Sequence, residues 1–194
     1  MMNEIVKKKK DLRKKLTERR NLINRNKTLD FNKDVFYELT EKINLNKVDC
    51  VGSFMSIRSE ISTNKLNKAI LDMKKKLAFP TIEKNSETLI FKTFNSDKNF
   101  KLGKFNIPEP TNDNKEIIPQ LFFVPCLGFD LRGFRIGYGG GFYDKTFENL
   151  KKLNLVFYTV GFAYDEQKQN KLPVEKLDYK LDFVLTEKQL YTFL

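Results

Sequence analysis

Hydrophobic residues along the chain alternate between a helical spacing and short continuous runs. The helical spacing predicts four helices, over about residues 3–24, 30–45, 63–77 and 142–153. Residues able to cap the first three are Asn3, Asp30, and Ser62 or Thr63. The apolar runs predict strands over residues 48–55, 77–79, 88–94, 121–127, 155–162 and 182–185. Because strands that alternate with helices form a mostly parallel sheet, we expect an α/β fold: a single-domain layered sandwich over residues 1–194, with helices on both faces of the sheet.

A glycine-rich loop follows the run at 121–127 and precedes the last predicted helix. Six of the nine glycines lie within residues 128–141, four of them in the segment Gly137-Tyr138-Gly139-Gly140-Gly141. Glycines allow φ > 0 and close approach of a ligand, and their N–H groups can converge beside the positive end of a helix. This arrangement is typical of a backbone cradle for an anion. A tight turn without a ligand is the alternative.

Two observations narrow the type of cradle. A Walker A loop would end in Gly-Lys-Ser/Thr, and a dinucleotide fingerprint would have glycine or alanine in place of Phe142, so neither motif fits. Arg135 stands two residues before the glycine run, and its guanidinium could bind phosphate in a bidentate manner. Arg135 therefore favours a phosphate site over a plain turn.

Two basic residues of the first helix lie toward its apolar side. At 100° per residue Lys9 falls inside the apolar stripe, while Arg13 and Arg20 lie at its border. An inward-facing charge is costly unless an anion meets it, so Lys9 and Arg13 are candidate anion ligands. The alternative is that their stems extend along the helix and bring the charges to water. The other lysines of this helix are interpreted as a solvated face.

Charge and composition limit the chemistry. The net charge of +11 indicates anionic partners, although only seven of the 36 basic residues are arginine, which makes a nucleic-acid interface a weaker interpretation. Histidine is absent, which excludes Ser-His and Cys-His nucleophile pairs and histidine-bound zinc. Cys50 and Cys126 lie in apolar runs and are expected to be buried thiols. Without a membrane-length apolar run or a secretion signal, a cytoplasmic protein is expected.

Five segments in order along the chain carry a resemblance to a known family. They are Lys9-Lys10-Asp11-Leu12-Arg13, Glu60-Ile61-Ser62-Thr63, Ile107-Pro108-Glu109-Pro110, Pro125 to Asp144, and Leu172-Pro173-Val174-Glu175 with Asp178. Together they resemble the 5-formyltetrahydrofolate cyclo-ligase (5,10-methenyltetrahydrofolate synthetase) family, and the glycine-rich segment is the most specific of them. Cys126 and Phe142 replace a glycine and a tyrosine of the family pattern.

The resemblance implies ATP- and Mg²⁺-dependent closure of 5-formyltetrahydrofolate to 5,10-methenyltetrahydrofolate, with release of ADP and phosphate. It implies catalytic roles for Lys9 and Arg135. The ATP-binding residues would be Lys9, Lys10, Asp11, Leu12, Arg13, Arg135, Ile136, Gly137, Tyr138, Gly139, Gly140, Gly141, Phe142 and Tyr143. The folate-binding residues would be Phe54, Met55, Glu60, Phe105, Tyr138, Gly139, Gly140, Gly141 and Phe142. The metal ligands would be Asp144 and Asp178, with Asp182 as the alternative to Asp178.

Two of these residues also have an interpretation that involves no ligand. Glu60 could be a solvated loop charge, and Asp144 could be a first-turn aspartate favoured by the helix dipole. We expect a monomer that acts on a small molecule, a reduced folate with or without a polyglutamate tail, and that binds neither nucleic acid nor membrane. The alternative function is a basic nucleotide- or RNA-binding module without turnover.

Overall fold

The computed structural model describes residues 2–25, 31–94, 100–103, 107–111 and 114–194. Within these ranges the helices are α1 Met2–Arg25, α2 Lys33–Lys42, α3 Asn64–Asp72 and α4 Phe142–Lys152. The strands are β1 Cys50–Gly52, β2 Lys76–Thr81, β3 Ile90–Thr93, β4 Phe100–Leu102, β5 Pro108–Pro110, β6 Leu121–Pro125, β7 Gly128–Asp130, β8 Arg135–Ile136, β9 Tyr158–Phe162, β10 Lys168–Gln169, β11 Phe183–Leu185 and β12 Leu190–Thr192. None of these helices combines the length and apolar character needed to cross a membrane.

The main sheet has seven strands in the order β12-β11-β9-β6-β1-β2-β3. Strands β11, β9, β6, β1 and β2 are parallel to one another, and β12 and β3 are antiparallel strands at the two edges. The central strand β6 is an apolar run because side chains on both of its faces are covered. The predicted α/β fold class, with a mostly parallel sheet, is confirmed.

Helices cover both faces of this sheet. Successive side chains of β6 point to opposite faces, and Phe123 belongs to one apolar cluster while Phe122 and Val124 belong to another. The cluster around Phe123 includes the apolar residues of α2 and α3 and the C-terminal part of α1. The second cluster includes Phe147 and Leu150 of α4. The layered arrangement predicted from the sequence is therefore correct.

Several predicted boundaries are wrong for local reasons. Asn32 caps α2 by accepting a hydrogen bond from the N–H of Asp34, whereas Asp30 lies outside the described residues. Thr63 is the cap residue of α3, but its hydroxyl donates to the carbonyl of Phe54 instead of capping the helix. Strand β2 continues through Pro80, which was expected to end it. Pro80 is tolerated because β2 extends beyond β1 at this point and only β3 pairs with it.

The segment between β6 and α4 is more ordered than the predicted loop. Strands β7 and β8 form an antiparallel hairpin, and β10 joins β7 in a separate three-stranded sheet. The buried carboxylate of Asp130 holds the hairpin turn by accepting hydrogen bonds from the N–H groups of Arg132 and Phe134. Asp130 also accepts from the N–H of Leu172, so the turn is fixed to the segment that precedes β11. This hairpin sets the direction in which Arg135 enters the glycine loop.

Candidate active site

Helix α1 lies across three loops and sends one basic side chain to each. Lys9 contacts the segment before β11, Arg13 contacts the glycine loop, and Arg20 contacts the loop between β1 and α3. The residues between them, Leu16 above all, pack on Leu127, Ile136 and Leu172. The apolar stripe of α1 thus anchors the helix, and the three charges along the same side each contact a different loop.

The glycine loop, residues 137–141, leaves open space beside the start of α4. A Cβ added at Gly137 or at Gly141 would have no described heavy atom within 4 Å. Gly139 has φ of +103° and Gly141, the N-cap of α4, has φ of +69°, conformations that favour glycine. Arg13 closes one side of the loop, since its Nε donates to the carbonyl of Gly137 at 2.9 Å. An exposed backbone of this shape at a helix N-terminus fits an anionic ligand.

Arg135 is buried beneath this loop, with 5% of its side chain exposed. Its Nη2 lies 3.0 Å from Oδ1 of Asp144, and its Nη1 donates to the carbonyl of Tyr179 at 3.4 Å. The guanidinium also lies 5.9 Å from the centre of the Tyr143 ring. The predicted phosphate ligand is therefore held in place by a carboxylate of the first turn of α4.

Lys9 is buried, as the helical periodicity predicted, with 4% of its surface exposed. Its ammonium donates to Glu175 Oε2 and to Asp178 Oδ1, each at 2.7 Å. Asp178 also accepts from the N–H of Glu175, which folds the carboxylates around the ammonium. The interpretation that the lysine stem carries its charge to water is wrong, because two carboxylates neutralise it inside the protein.

The two predicted metal ligands lie in adjoining segments. Asp144 accepts a hydrogen bond from the N–H of Tyr179, the residue after Asp178, so the first turn of α4 touches the segment before β11. The alternative ligand Asp182 is already used, since its Oδ2 accepts from both the N–H and the hydroxyl of Thr159. The described residues contain no group of three or more metal-binding side chains. Mg²⁺ needs only one or two carboxylates when phosphate oxygens supply further ligands, and Asp144 with Asp178 fits that need.

Glu60 is a buried carboxylate and not a solvated loop charge, with 7% of its surface exposed. Its Oε2 accepts from the N–H of Ile57 and its Oε1 accepts from the hydroxyl of Tyr138, both at 2.9 Å. Burial raises the pKa of the Glu60 carboxyl above its ordinary value, and the Ile57 N–H, Arg20 and Tyr138 oppose that rise. Burial likewise raises the pKa of the Tyr138 hydroxyl to about 12. The tyrosine therefore stays a hydrogen-bond donor, and it joins the glycine loop to Glu60.

Some predicted site residues contribute packing. Phe54 is 4% exposed within the core, and Met55 is half-buried against the same cluster. Leu12 is half-buried beside the cluster that contains Ile136. Phe105 lies outside the described residues. The predicted roles of these residues in binding ATP or folate stay a prediction.

Two of the remaining predicted residues lie on α1 and two lie in the first turn of α4. Lys10 and Asp11 are exposed on α1. The ring of Phe142 stands against Gly140, where an added Cβ would lie 2.7 Å from it. The hydroxyl of Tyr143 is buried without a hydrogen-bond partner among the described residues.

The two cysteines, Cys50 and Cys126, are buried and free. Burial raises their pKa values to about 11 and about 12, which keeps both thiols unreactive.

Sequence reasoning did not assign Arg20 or Glu175 to the site. Arg20 lies seven residues after Arg13, two helical turns further along the same side of α1, and this spacing was a signal for it. Glu175 was noted only as part of the resemblance. Its pairing with Lys9 joins positions 166 residues apart, which no local pattern indicates.

Comparison with known proteins gives consistent matches. A model of the 5-formyltetrahydrofolate cyclo-ligase family matches residues 5–187. The 5-formyltetrahydrofolate cyclo-ligase of Haemophilus influenzae is 32% identical over 140 residues, which cover 70% of this chain and 74% of that protein. The enzyme of the same name from Escherichia coli K12 is 30% identical over 146 residues, which cover 73% of this chain and 79% of that protein.

Two solved structures have the same fold. The 5,10-methenyltetrahydrofolate synthetase of Aquifex aeolicus is 25% identical and superposes with a TM-score of 0.70, covering 95% of this chain and 92% of that chain. The 5,10-methenyltetrahydrofolate synthetase of Mycoplasma pneumoniae superposes with a TM-score of 0.66 at 18% identity, covering 93% of this chain and 99% of that chain.

Proposed function

The chain belongs to the 5-formyltetrahydrofolate cyclo-ligase family, and from this we propose that it uses ATP and Mg²⁺ to convert 5-formyltetrahydrofolate to 5,10-methenyltetrahydrofolate, ADP and phosphate. The observation that carries the proposal is the open glycine loop at the start of α4, which has Arg13 on one side and buried Arg135 beneath it. A phosphate chain has backbone donors, a helix N-terminus and two guanidinium groups available in one place.

Mg²⁺ bound to the nucleotide would be held by Asp144 and Asp178. When bound, the metal supplies positive charge that neutralises the phosphate oxygens. Both carboxylates now pair with cationic side chains, Asp144 with Arg135 and Asp178 with Lys9. Binding of MgATP would let Arg135 and Lys9 each exchange a carboxylate for a phosphate. Asp144 and Asp178 would each exchange a cationic side chain for the metal, so the charges would stay balanced.

Glu60 would bind the pterin end of the folate. A buried carboxylate with one oxygen fixed by Ile57 and the other by Tyr138 still has lone pairs that can accept hydrogen bonds from ring N–H groups. Tyr138 belongs to the glycine loop, so the folate-binding group and the phosphate-binding loop are in direct contact. This contact supports a reaction in which both substrates meet.

The chemistry needs no nucleophile from the protein. In the proposed reaction the formyl oxygen is activated by transfer of the terminal phosphoryl group. N10 of the folate then attacks the formyl carbon, phosphate leaves with the former formyl oxygen, and the N10 proton is released. The chain positions the two substrates and stabilises charge through Lys9, Arg13 and Arg135. A site without histidine is suited to this division of roles.

The test is the appearance of the methenyl chromophore when purified protein is mixed with 5-formyltetrahydrofolate, ATP and Mg²⁺. We expect absorbance to rise only when all three are present. A protein that binds ATP but never forms the chromophore would contradict the proposal and favour the alternative of a nucleotide- or RNA-binding module.

A further inference from the structure

Arg20 is the most deeply buried charged side chain of α1, with 1% of its surface exposed. Its Nε donates to the hydroxyl of Ser59 at 3.2 Å, and its Nη2 donates to the hydroxyl of Tyr138 at 2.5 Å. Its Nη1 lies 3.6 Å from Oε1 of Glu60 and has no hydrogen-bond partner among the described residues. The guanidinium of Arg20 therefore contacts Ser59, which precedes Glu60 in the chain, and Tyr138, which donates to Glu60. Its third nitrogen faces the Glu60 carboxylate itself.

This burial is not explained by stability. A buried ion pair is often no more stable than apolar residues of similar size, and an unpartnered buried nitrogen adds a further penalty. The neighbouring positions on the same stripe, Leu16 and Ile23, show that α1 can be anchored there by apolar side chains. A charged residue between them points to a role in the site.

We propose that Arg20 is a positioning residue that fixes the orientation of the Glu60 carboxylate, directly and through Tyr138, and supplies the cation beside it. The inference rests on the proposed function, because it is the folate that Glu60 would bind. Ser59 holds Nε, and Ser59 is itself held by donation to Oδ1 of Asn21 at 2.6 Å. The guanidinium is thus held at Nε as well as at Nη2.

The other titratable groups that act on Glu60 cannot replace Arg20. They are Tyr138 of the glycine loop, Tyr143 of α4, Cys126 after β6, and Arg58 of the same loop as Glu60. Tyr143 and Cys126 are neutral because burial raises the pKa of each. Arg58 is exposed, so water screens its charge. Loss of Arg20 would raise the pKa of Glu60 further, and the carboxylate would become protonated over a wider pH range.

The experiment compares Arg20→Gln and Arg20→Lys with Arg19→Gln, a matched control at the adjacent exposed arginine. We expect Arg20→Gln to raise KM for 5-formyltetrahydrofolate by about tenfold, the effect of one charge-assisted hydrogen bond, with KM for ATP nearly unchanged. The acid limb of the kcat/KM profile for the folate should shift to higher pH, and Arg20→Lys should shift it less. The Arg19→Gln profile should match the wild-type profile.

A double variant separates positioning from folding. If Arg20 acts through Glu60, then Arg20→Gln should add little to the folate KM of Glu60→Gln, whereas independent effects would multiply. If Arg20→Gln does not fold, Tyr138→Phe removes the hydroxyl that lies between Arg20 and Glu60, and it should shift the acid limb in the same direction. The proposal would be overturned if the effects of Arg20→Gln and Glu60→Gln on the folate KM multiply in the double variant. It would also be overturned if the acid limb stays at the wild-type position in every folded variant.

A measurement without turnover distinguishes this inference from the proposed function. The ¹³C chemical shift of the Glu60 side-chain carboxyl, assigned with Glu60→Gln, can be followed against pH in the unliganded protein. Its titration should move to higher pH in Arg20→Gln. If the titration moves but no variant and no wild type forms the chromophore, the proposed function fails and the positioning of Glu60 stands. If the wild type is active and the titration does not move, only the positioning role fails.

Discussion

Gly137 offers the cleanest test of the glycine loop as a phosphate cradle. Its φ lies outside the left-handed region, and an added Cβ would meet no described heavy atom within 4 Å, so the Cβ of alanine or of valine can be placed there without strain. Gly139 and Gly140 are poorer positions. At Gly139 φ is +103° and the Cβ would lie 3.2 Å from Cζ of Arg13, and at Gly140 it would lie 2.7 Å from the ring of Phe142.

The expected magnitudes differ for stability and for binding. A substitution at an unstrained surface position changes the free energy of unfolding by about 0.5 kcal/mol or less. In a chain of this size each kcal/mol corresponds to about 2–4 °C in Tm, so Gly137→Val should melt within about 2 °C of the wild type. A side chain in the ligand space would remove at least one charge-assisted hydrogen bond to phosphate, which contributes about 1.5–3 kcal/mol. Affinity for ATP should fall by about tenfold or more.

The assay is calorimetric titration of Gly137→Ala and Gly137→Val with MgATP, combined with thermal unfolding followed by circular dichroism. Leu131→Ala, at an exposed position of the β7–β8 hairpin, is the matched control and should bind like the wild type. Affinity should fall in the order wild type, alanine, valine, since the larger side chain fills more of the open space. Wild-type affinity in a well-folded Gly137→Val would refute the assignment of the cradle.

Three further outcomes are expected. Arg135→Lys should lower kcat/KM by about a hundredfold, because a point charge cannot replace the bidentate guanidinium. Arg19→Lys, at an exposed position of α1, should have little effect, and equal losses in the two variants would count against the role of Arg135. Asp144→Asn should raise the Mg²⁺ concentration needed for half-maximal rate, and excess Mg²⁺ should restore part of the rate; an unchanged titration would exclude Asp144 as a ligand. Burial raises the pKa of the Glu187 carboxyl, so the wild type loses stability as pH rises through the folded-state pKa. Glu187→Gln should escape that loss, and its Tm should exceed the wild-type Tm at mildly alkaline pH but not in acid. A Tm difference that does not change with pH would contradict the direction of the Glu187 pKa shift.

Local patterns predicted much of the fold because each depends on few neighbours. The apolar run of β6 indicated a strand buried on both faces, and the 100° spacing on α1 indicated that Lys9 faces inward. Hairpin β7–β8 escaped prediction because its strands are two and three residues long and its turn depends on one carboxylate, Asp130. Very short strands carry too little periodicity to be recognised.

Candidate site residues were selected from the sequence, but the contacts between them were not predicted. The glycine loop and Arg135 were selected from local sequence, because a glycine cluster and an arginine beside it are visible there, whereas Glu60 was selected only through the family resemblance. The partners of Lys9, which are Glu175 and Asp178, depend on how α1 crosses the segment before β11, a tertiary contact without a local signal. Arg20 lies two helical turns after Arg13 on the same side of α1, but its burial depends on Glu60 and Tyr138, which belong to two other loops.

The central claim is that ATP cleavage and folate closure are one reaction at one site. The direct measurement is the ratio of ADP released to 5,10-methenyltetrahydrofolate formed, followed together in the wild type and in Gly137→Val. We predict one ADP for each methenyl product in the wild type, negligible ADP without 5-formyltetrahydrofolate, and parallel loss of both products in the variant. ADP release that continues without the folate, or bound ATP that yields neither product, would contradict the account.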